Sequence, residues 1–342
     1  MIYSSSRRRL LLTVIIVILL ALAWLFSGGW FWKKPAHVIS TRLLMNTIFN
    51  VQIFARDKKI GERLITEAFE EAQRIEHIME PLKENGELKR INSREDDRWW
   101  ILSADLRAVI EKSFNYYERS EGAFDPTIAP VKWLWDFENS GRVPSGSDLK
   151  EKLGSVGMRF IELHGDSLRF NNPGTKLDLG GVAKGYAVDR MIAVLKKGGA
   201  LAGLVNAGGD ISGFGKKPGG NDWIIGLRHP EKNRTLLIDP VSFASIATSG
   251  DYERCFIEDG VKYHHILDST TGYPARGCVS VTVWTTSAMD ADILSTTVFV
   301  MGAEKGVAFV ESLEDVETLI FYNKGGELKT VMTSGIRGKI RF

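Results

Sequence analysis

Up to about residue 156 the sequence carries helical patterns. Past it, short strand-like runs alternate with glycine-rich turns, and this division limits the folds open to the chain. Over 62–79 the apolar residues Ile65, Phe69, Ala72, Ile75 and Met79 recur at helical spacing, and Pro81 ends the run. Ser103 is placed to cap a second helix reaching about Ser120, with Leu106, Ile110, Phe114 and Tyr117 on one face and Gly122 closing it. Residues 138–150 read as polar loop. Strands are predicted over 47–55, 176–179, 204–206, 223–227 and 279–285. A Gly-Gly turn then leads into a helix over 182–197, and Ser287 caps another that carries Asp292. Helices first and strands after predict an α+β fold with mixed sheets and a strand-rich C-terminal part, not a doubly wound sheet.

A length of 342 residues with 44% hydrophobic content suits one large domain or two intimate lobes. A net charge of +2 offers no field for nucleic acid. The two cysteines, Cys255 and Cys278, lack metal-ligand spacing and read as unpaired thiols or a single bridge. The N-terminus departs from this picture. Arg7, Arg8 and Arg9 precede an apolar run over 10–26, and Trp30 and Trp32 follow. Counted through Trp32, the run reaches the roughly 20 residues that cross a bilayer, with basic residues on the cytoplasmic side. Residues 1–34 therefore read as a membrane anchor or signal segment and 35–41 as a connector to a domain over 42–342. The expected location is the inner (cytoplasmic) membrane, with that domain on the extracytoplasmic, periplasmic face. Ala21-Leu22-Ala23 as a cleavage site and the twin-arginine look of residues 6–11 are the alternatives.

Polar groups concentrate between 246 and 302. His264 and His265 are adjacent, so in a strand they face opposite ways and one of them enters a given site. Asp268 follows three residues after His265, and histidine with a carboxylate is natural general-base chemistry. A structural strand histidine is the competing reading. Asp292 and Thr296 lie four apart on the predicted helix and share a face; a carboxylate and a hydroxyl are hard ligands that suit Mg²⁺. Ordinary helix-start chemistry would also account for them. The segment LDLGGVAKGYAVDRM reads as strand, glycine turn and helix, where backbone N–H groups and Lys184 face an anion or simply close a tight turn. It matches neither a dinucleotide fingerprint nor a Walker sequence. Phe124-Asp125-Pro126-Thr127 and the downstream Trp133 and Trp135 set an acid beside aromatic surface, either to clasp a ring system or as core with a turn.

Taken together, seven segments in order resemble the ApbE family of FAD:protein FMN transferases. They are Met45-Asn46-Thr47, GAFDPTIAPVKWLW, LDLGGVAKGYAVDRM, NAGGDISGFGKKPGG, IATSGDYE, HHILDSTTGYP and ADILSTTVFVMG. The resemblance implies an ApbE-like fold and a Mg²⁺-dependent transfer of FMN from FAD to a Thr or Ser hydroxyl of an acceptor protein, releasing AMP. It implies Asp292, Thr296 and a backbone carbonyl around Ala183 as metal ligands. Met45, Ala123, Phe124, Asp125, Asp178, Lys184 and Ile266 are implied as FAD contacts, and His265, beside Asp268, as the base. The implied acceptor carries a DGxSAT-like motif, as on a subunit of a membrane redox complex; this chain has none, because Asp259-Gly260 continues as Val261-Lys262. Asn46, Ser269 and Leu82 depart from the family's usual Gly, Pro and aromatic residue. Hydrolysis of FAD to FMN and AMP, or flavin binding without turnover, are the rival readings.

Overall fold

The computed structural model describes residues 9–10, 12–19, 34–231, 235–238 and 245–341. The expected anchor falls mostly outside these residues. Among the described residues no helix is long and apolar enough to cross a membrane, which overturns the placement at the inner membrane.

The frame is an eight-stranded sheet. Its strands are β1 (Ala36–Leu44), β2 (Thr47–Ala55), β3 (Ala202–Ala207), β4 (Asp210–Phe214), β5 (Ser245–Gly250), β6 (Cys278–Thr285), β7 (Glu317–Lys324) and β8 (Glu327–Met332). They lie side by side in chain order, and every neighbouring pair is antiparallel. The expected connector over 35–41 is thus mostly the edge strand β1. Its alternation is hard to see in sequence because the inner face carries Ser40 and Arg42 between Val38 and Leu44, while Ile39 and Leu43 stand on the exposed face. Met45 and Asn46 turn β1 into β2 with φ of 49° and 57°, left-handed backbone that Asn tolerates.

Four helices matter for the site: α1 (Lys58–Met79), α2 (Ala104–Arg119), α3 (Ala183–Lys197) and α4 (Ala288–Met301). The Asp57 side chain caps α1, and Ser103 caps α2 as its position predicts. The buried stripe of α1, including Leu64, Ala68, Phe69, Ala72 and Ile75, packs on β1, β2 and α3. Each such large apolar side chain contributes about 1.5–3 kcal/mol when buried. α4 is buried on all sides, from Ala288 and Ala291 through Ile293 and Leu294 to Val298 and Phe299, because it lies between α3 and strands β5 and β6.

The far face of β5–β7 is covered by a three-stranded sheet of Gly226–Arg228, Thr235–Ile238 and Ile340–Arg341, over a cluster that includes Trp284, Leu319 and Phe321. With both faces covered, β6 is buried at every position. A register shift between Cys278 and Ser280 sends Val279 to the far cluster and Val281 and Val283 to the helix side. Cys278 is buried and Cys255 exposed, and both are free thiols. Three expectations fail locally. Residues 223–225 form no strand, the strand there being Gly226–Arg228. Residues 177–179 form no strand, keeping only a bridge from Lys176 to Ile128, and a helix at Gly146–Leu153 occupies part of the expected loop.

α3 and α4 cross where Gly185 lies against Ala288. A Cβ on Gly185 would sit 2.2 Å from the Ala288 carbonyl oxygen and 2.8 Å from Asp292 Cβ. Gly185→Ala is therefore expected to lower the unfolding free energy by about 1–3 kcal/mol in a urea titration. Gly146→Ala, where an added Cβ meets nothing within 4 Å, is expected to cost nothing. Equal effects at the two positions would refute the tight crossing.

Candidate active site

The Gly-Gly turn before α3 is pinned from both sides. Asn92 Nδ2 donates to the Leu177 carbonyl at 2.8 Å, and Leu177 N–H donates to Asn92 Oδ1 at 2.8 Å. Asp178 N–H donates to the Pro126 carbonyl at 2.7 Å, joining this segment to the Phe124–Thr127 loop. The Asp178 carboxylate accepts from Lys132 Nζ at 2.8 Å and from Gly180 N–H at 2.8 Å. Burial opposes its ionisation, yet the lysine and that N–H hold its carboxyl below the ordinary range. A Cβ on Gly181 would lie 3.2 Å from Phe124 and 3.3 Å from Thr296 Oγ1, so the turn approaches both closely. The turn thus brings Phe124, Asp178 and Thr296 together.

At the start of α3, Ala183 N–H donates to the Leu179 carbonyl at 2.8 Å and Gly185 N–H to Asp292 Oδ2 at 3.0 Å. The anion at this helix N-terminus is therefore a carboxylate of the chain itself, in the place where the sequence suggests an external anion. Lys184 Nζ lies 3.3 Å from Asp292 Oδ1 and 2.8 Å from Asp210 Oδ2. Burial lowers the lysine's proton affinity, but the two carboxylates outweigh it and the ammonium is retained. Asp210, at the start of β4, is pushed up to about 7 by burial and by the negative charge of Asp292. Two buried carboxylates share one lysine.

On the next turn of α4, Thr296 Oγ1 is 3.4 Å from Ser249 Oγ of β5, which also lies 2.8 Å from Ser295 Oγ. Among the described residues there is no cluster of three or more His, Cys, Asp or Glu arranged to hold a metal. The donors available beside Gly181 and Ala183 are one carboxylate and hydroxyls. This hard, ligand-poor set, beside an excess of buried carboxylate, fits Mg²⁺ and not Zn²⁺.

His265 follows a short hairpin of Cys255–Glu258 and Val261–His264, and its N–H donates to the Arg254 carbonyl at 3.0 Å. Its Nδ1 is buried without a protein partner. Burial, and then the positive charges of Lys132 and Arg254, hold the imidazole well below its usual range, so it is neutral. His264 faces otherwise: its Nε2 is 2.9 Å from the Ala275 carbonyl, its ring meets Phe299 edge-on, and burial pushes it down to about 4.

Asp268 does not reach His265 as a hydrogen-bond partner. Its Oδ1 accepts from Thr270 N–H at 2.8 Å, and its N–H and C=O bond Tyr273 and Gly272, so its side chain shapes the turn. Ser269 donates to the Gly122 carbonyl at 3.0 Å, and Ile266 accepts from Ala275 N–H at 2.9 Å. Ala123 N–H bonds the Ser120 carbonyl in the loop before Phe124. Asp125 Oδ1 accepts from Thr127 N–H and Oγ1, and burial raises its carboxyl. Met45 N–H donates to Glu76 Oε1 at 2.7 Å, and its side chain packs on the cluster that holds Phe124, Ala183 and Ile266. Leu82 is exposed. Sequence reasoning missed Lys132, Asp210 and Ser249 as individuals. All three lie within segments singled out, but their pairing with Asp178, Lys184 and Thr296 is a property of the fold.

The model of the ApbE family matches residues 45–320. A FAD:protein FMN transferase of Treponema pallidum is 30% identical over 82% of this chain and 83% of its own length. One from Vibrio cholerae is 32% identical over 82% of this chain and 86% of its own. Among solved structures, the ApbE protein of Thermotoga maritima superposes with a TM-score of 0.82 at 33% identity, covering 90% of this chain and all (100%) of that one. The flavin transferase ApbE of Vibrio cholerae gives 0.81 at 29% identity, covering 89% and 99%. With the family model spanning most of its length and a shared α+β fold, this chain belongs to the ApbE family.

Proposed function

We propose that the chain transfers the FMN half of FAD to a Thr or Ser hydroxyl of an acceptor protein and releases AMP. The observation that carries the reading is the buried junction of Lys184, Asp210 and Asp292 one helical turn from Thr296. The names of its relatives supply the substrate. FAD would contact Met45, Ala123, Phe124, Asp125, Asp178, Lys184 and Ile266. The acceptor in this reading is a separate protein with a DGxSAT-like segment, such as a subunit of a membrane redox complex.

Asp292 and Thr296, with a backbone carbonyl at Ala183 or the adjoining turn, would hold Mg²⁺. When bound, the ion neutralises diphosphate charge and polarises the phosphorus to be attacked. Lys184 adds a fixed positive charge beside it. The acceptor oxygen forms a bond to the phosphorus of the FMN half, the P–O bond to the AMP half breaks, and AMP leaves with those electrons. The hydroxyl proton passes to His265, which is neutral and has a ring nitrogen uncommitted to the protein. Asp268 supports this step by holding the turn next to His265.

The direct test incubates the full chain with FAD, Mg²⁺ and a DGxSAT-type peptide and looks for added FMN by mass spectrometry. Free AMP without a peptide adduct would make the chain a FAD hydrolase, and intact FAD would make it a binder; either result sinks the transfer reading. Asp292→Ala is expected to cut Mg²⁺-dependent turnover by more than about a hundredfold. A normal rate there would remove the metal assignment.

His265→Ala is expected to slow transfer about 10²- to 10⁴-fold while FAD still binds; loss of binding instead would recast His265 as a ligand contact. Because its folded-state pKa is lowered below 6.5, the base form persists as pH falls through that value. The acid limb of the rate profile should therefore lie below pH 6.5, and a midpoint above it would contradict the assignment.

A further inference from the structure

We infer that Asp189 is a positioning residue that sets the height and rotation of α4, and with them the Asp292–Thr296 pair. The inference rests on the metal reading above. Asp189 belongs to α3 yet caps the neighbouring helix. Its Oδ2 accepts from Ser287 Oγ at 2.8 Å and from Met289 N–H at 3.0 Å, and its Oδ1 from Ala288 N–H at 2.9 Å. Ser287 already caps its own helix through Asp290 N–H at 3.2 Å, so the carboxylate from α3 serves the remaining donors of that turn.

The contacts between the two segments form an antiparallel ladder. Asp189 meets Ala288, Gly185 meets Ala288 and Asp292, and Gly181 lies against Thr296. The steps are four residues on each side; Asp189 and Gly185 lie within α3, about 6 Å apart at helical rise, and Gly181 lies in the turn before it. Asp189 is the polar lock at one end; the middle rung joins a close glycine approach to the Gly185 N–H···Asp292 hydrogen bond, and the last is a close approach of Gly181 alone. Helices that meet through glycine slide or rotate easily unless a directional bond fixes them. Three hydrogen bonds to one carboxylate do so, and metal ligands require placement to within about 0.5 Å.

The test titrates Mg²⁺ by calorimetry into the full chain and its Asp189→Ala and Asp189→Asn variants, and FAD without metal in a parallel series. Asp189→Ala is expected to raise the Mg²⁺ dissociation constant about 10- to 100-fold, the usual loss for a group supporting metal ligands. Asp189→Asn, which keeps one acceptor oxygen, should fall between Ala and wild type. FAD affinity without metal should change far less. Ser103→Ala, which removes only the cap of α2, is the control that loses stability and keeps the wild-type Mg²⁺ affinity. Folded variants with lowered melting temperature but wild-type Mg²⁺ affinity would overturn the inference, leaving Asp189 a structural cap; if the Ala variant does not fold, the Asn variant decides. Absence of Mg²⁺ binding by the wild-type chain would overturn the metal reading and this inference with it.

Discussion

The hydrogen bond from Gly185 N–H to Asp292 Oδ2 is the contact on which the site depends. It requires a carboxylate to be buried, which costs several kcal/mol unless charge and donors compensate. The positive end of α3, Lys184 and the absent side chain of Gly185 supply that compensation together. Asp210 adds a second acid to the same lysine, so the cluster is short of positive charge. α4 is buried along most of its length, and the face that meets α3 carries Asp292 and Thr296.

How much of this could be read in sequence depends on whether the signal is local. Caps are local, and Ser103 and Ser287 start their helices where expected. β1 was hidden because its exposed face carries Ile39 and Leu43 and its inner face Ser40 and Arg42, which blurs the alternation. The segment 177–179 reads as a strand from composition, but Asn92 takes the Leu177 backbone pair that a neighbouring strand would need. The spacing of Asp292 and Thr296 tells that they share a face. It does not tell which residues they face, because the crossing at Gly185 brings together positions about a hundred apart.

The histidine pair shows the same limit. Adjacency in a strand says that the two rings diverge, and the fold assigns the structural role to His264 through Ala275 and Phe299. Asp268 was paired with His265 by proximity in sequence. The short acid side chain instead finds the N–H two residues on, the usual competitor for Asp in a turn.

One further consequence comes from where Met45 and α4 sit. Met45 packs against both main apolar clusters, and α4 gives Ala288 to one and Ile293, Leu294 and Phe299 to the other. The site therefore lies on the seam between two separately packed bodies of core. Its geometry reads out their mutual registry. A distant substitution that lets them slip by a fraction of an ångström would displace Met45 and α4 together while leaving every helix and strand intact.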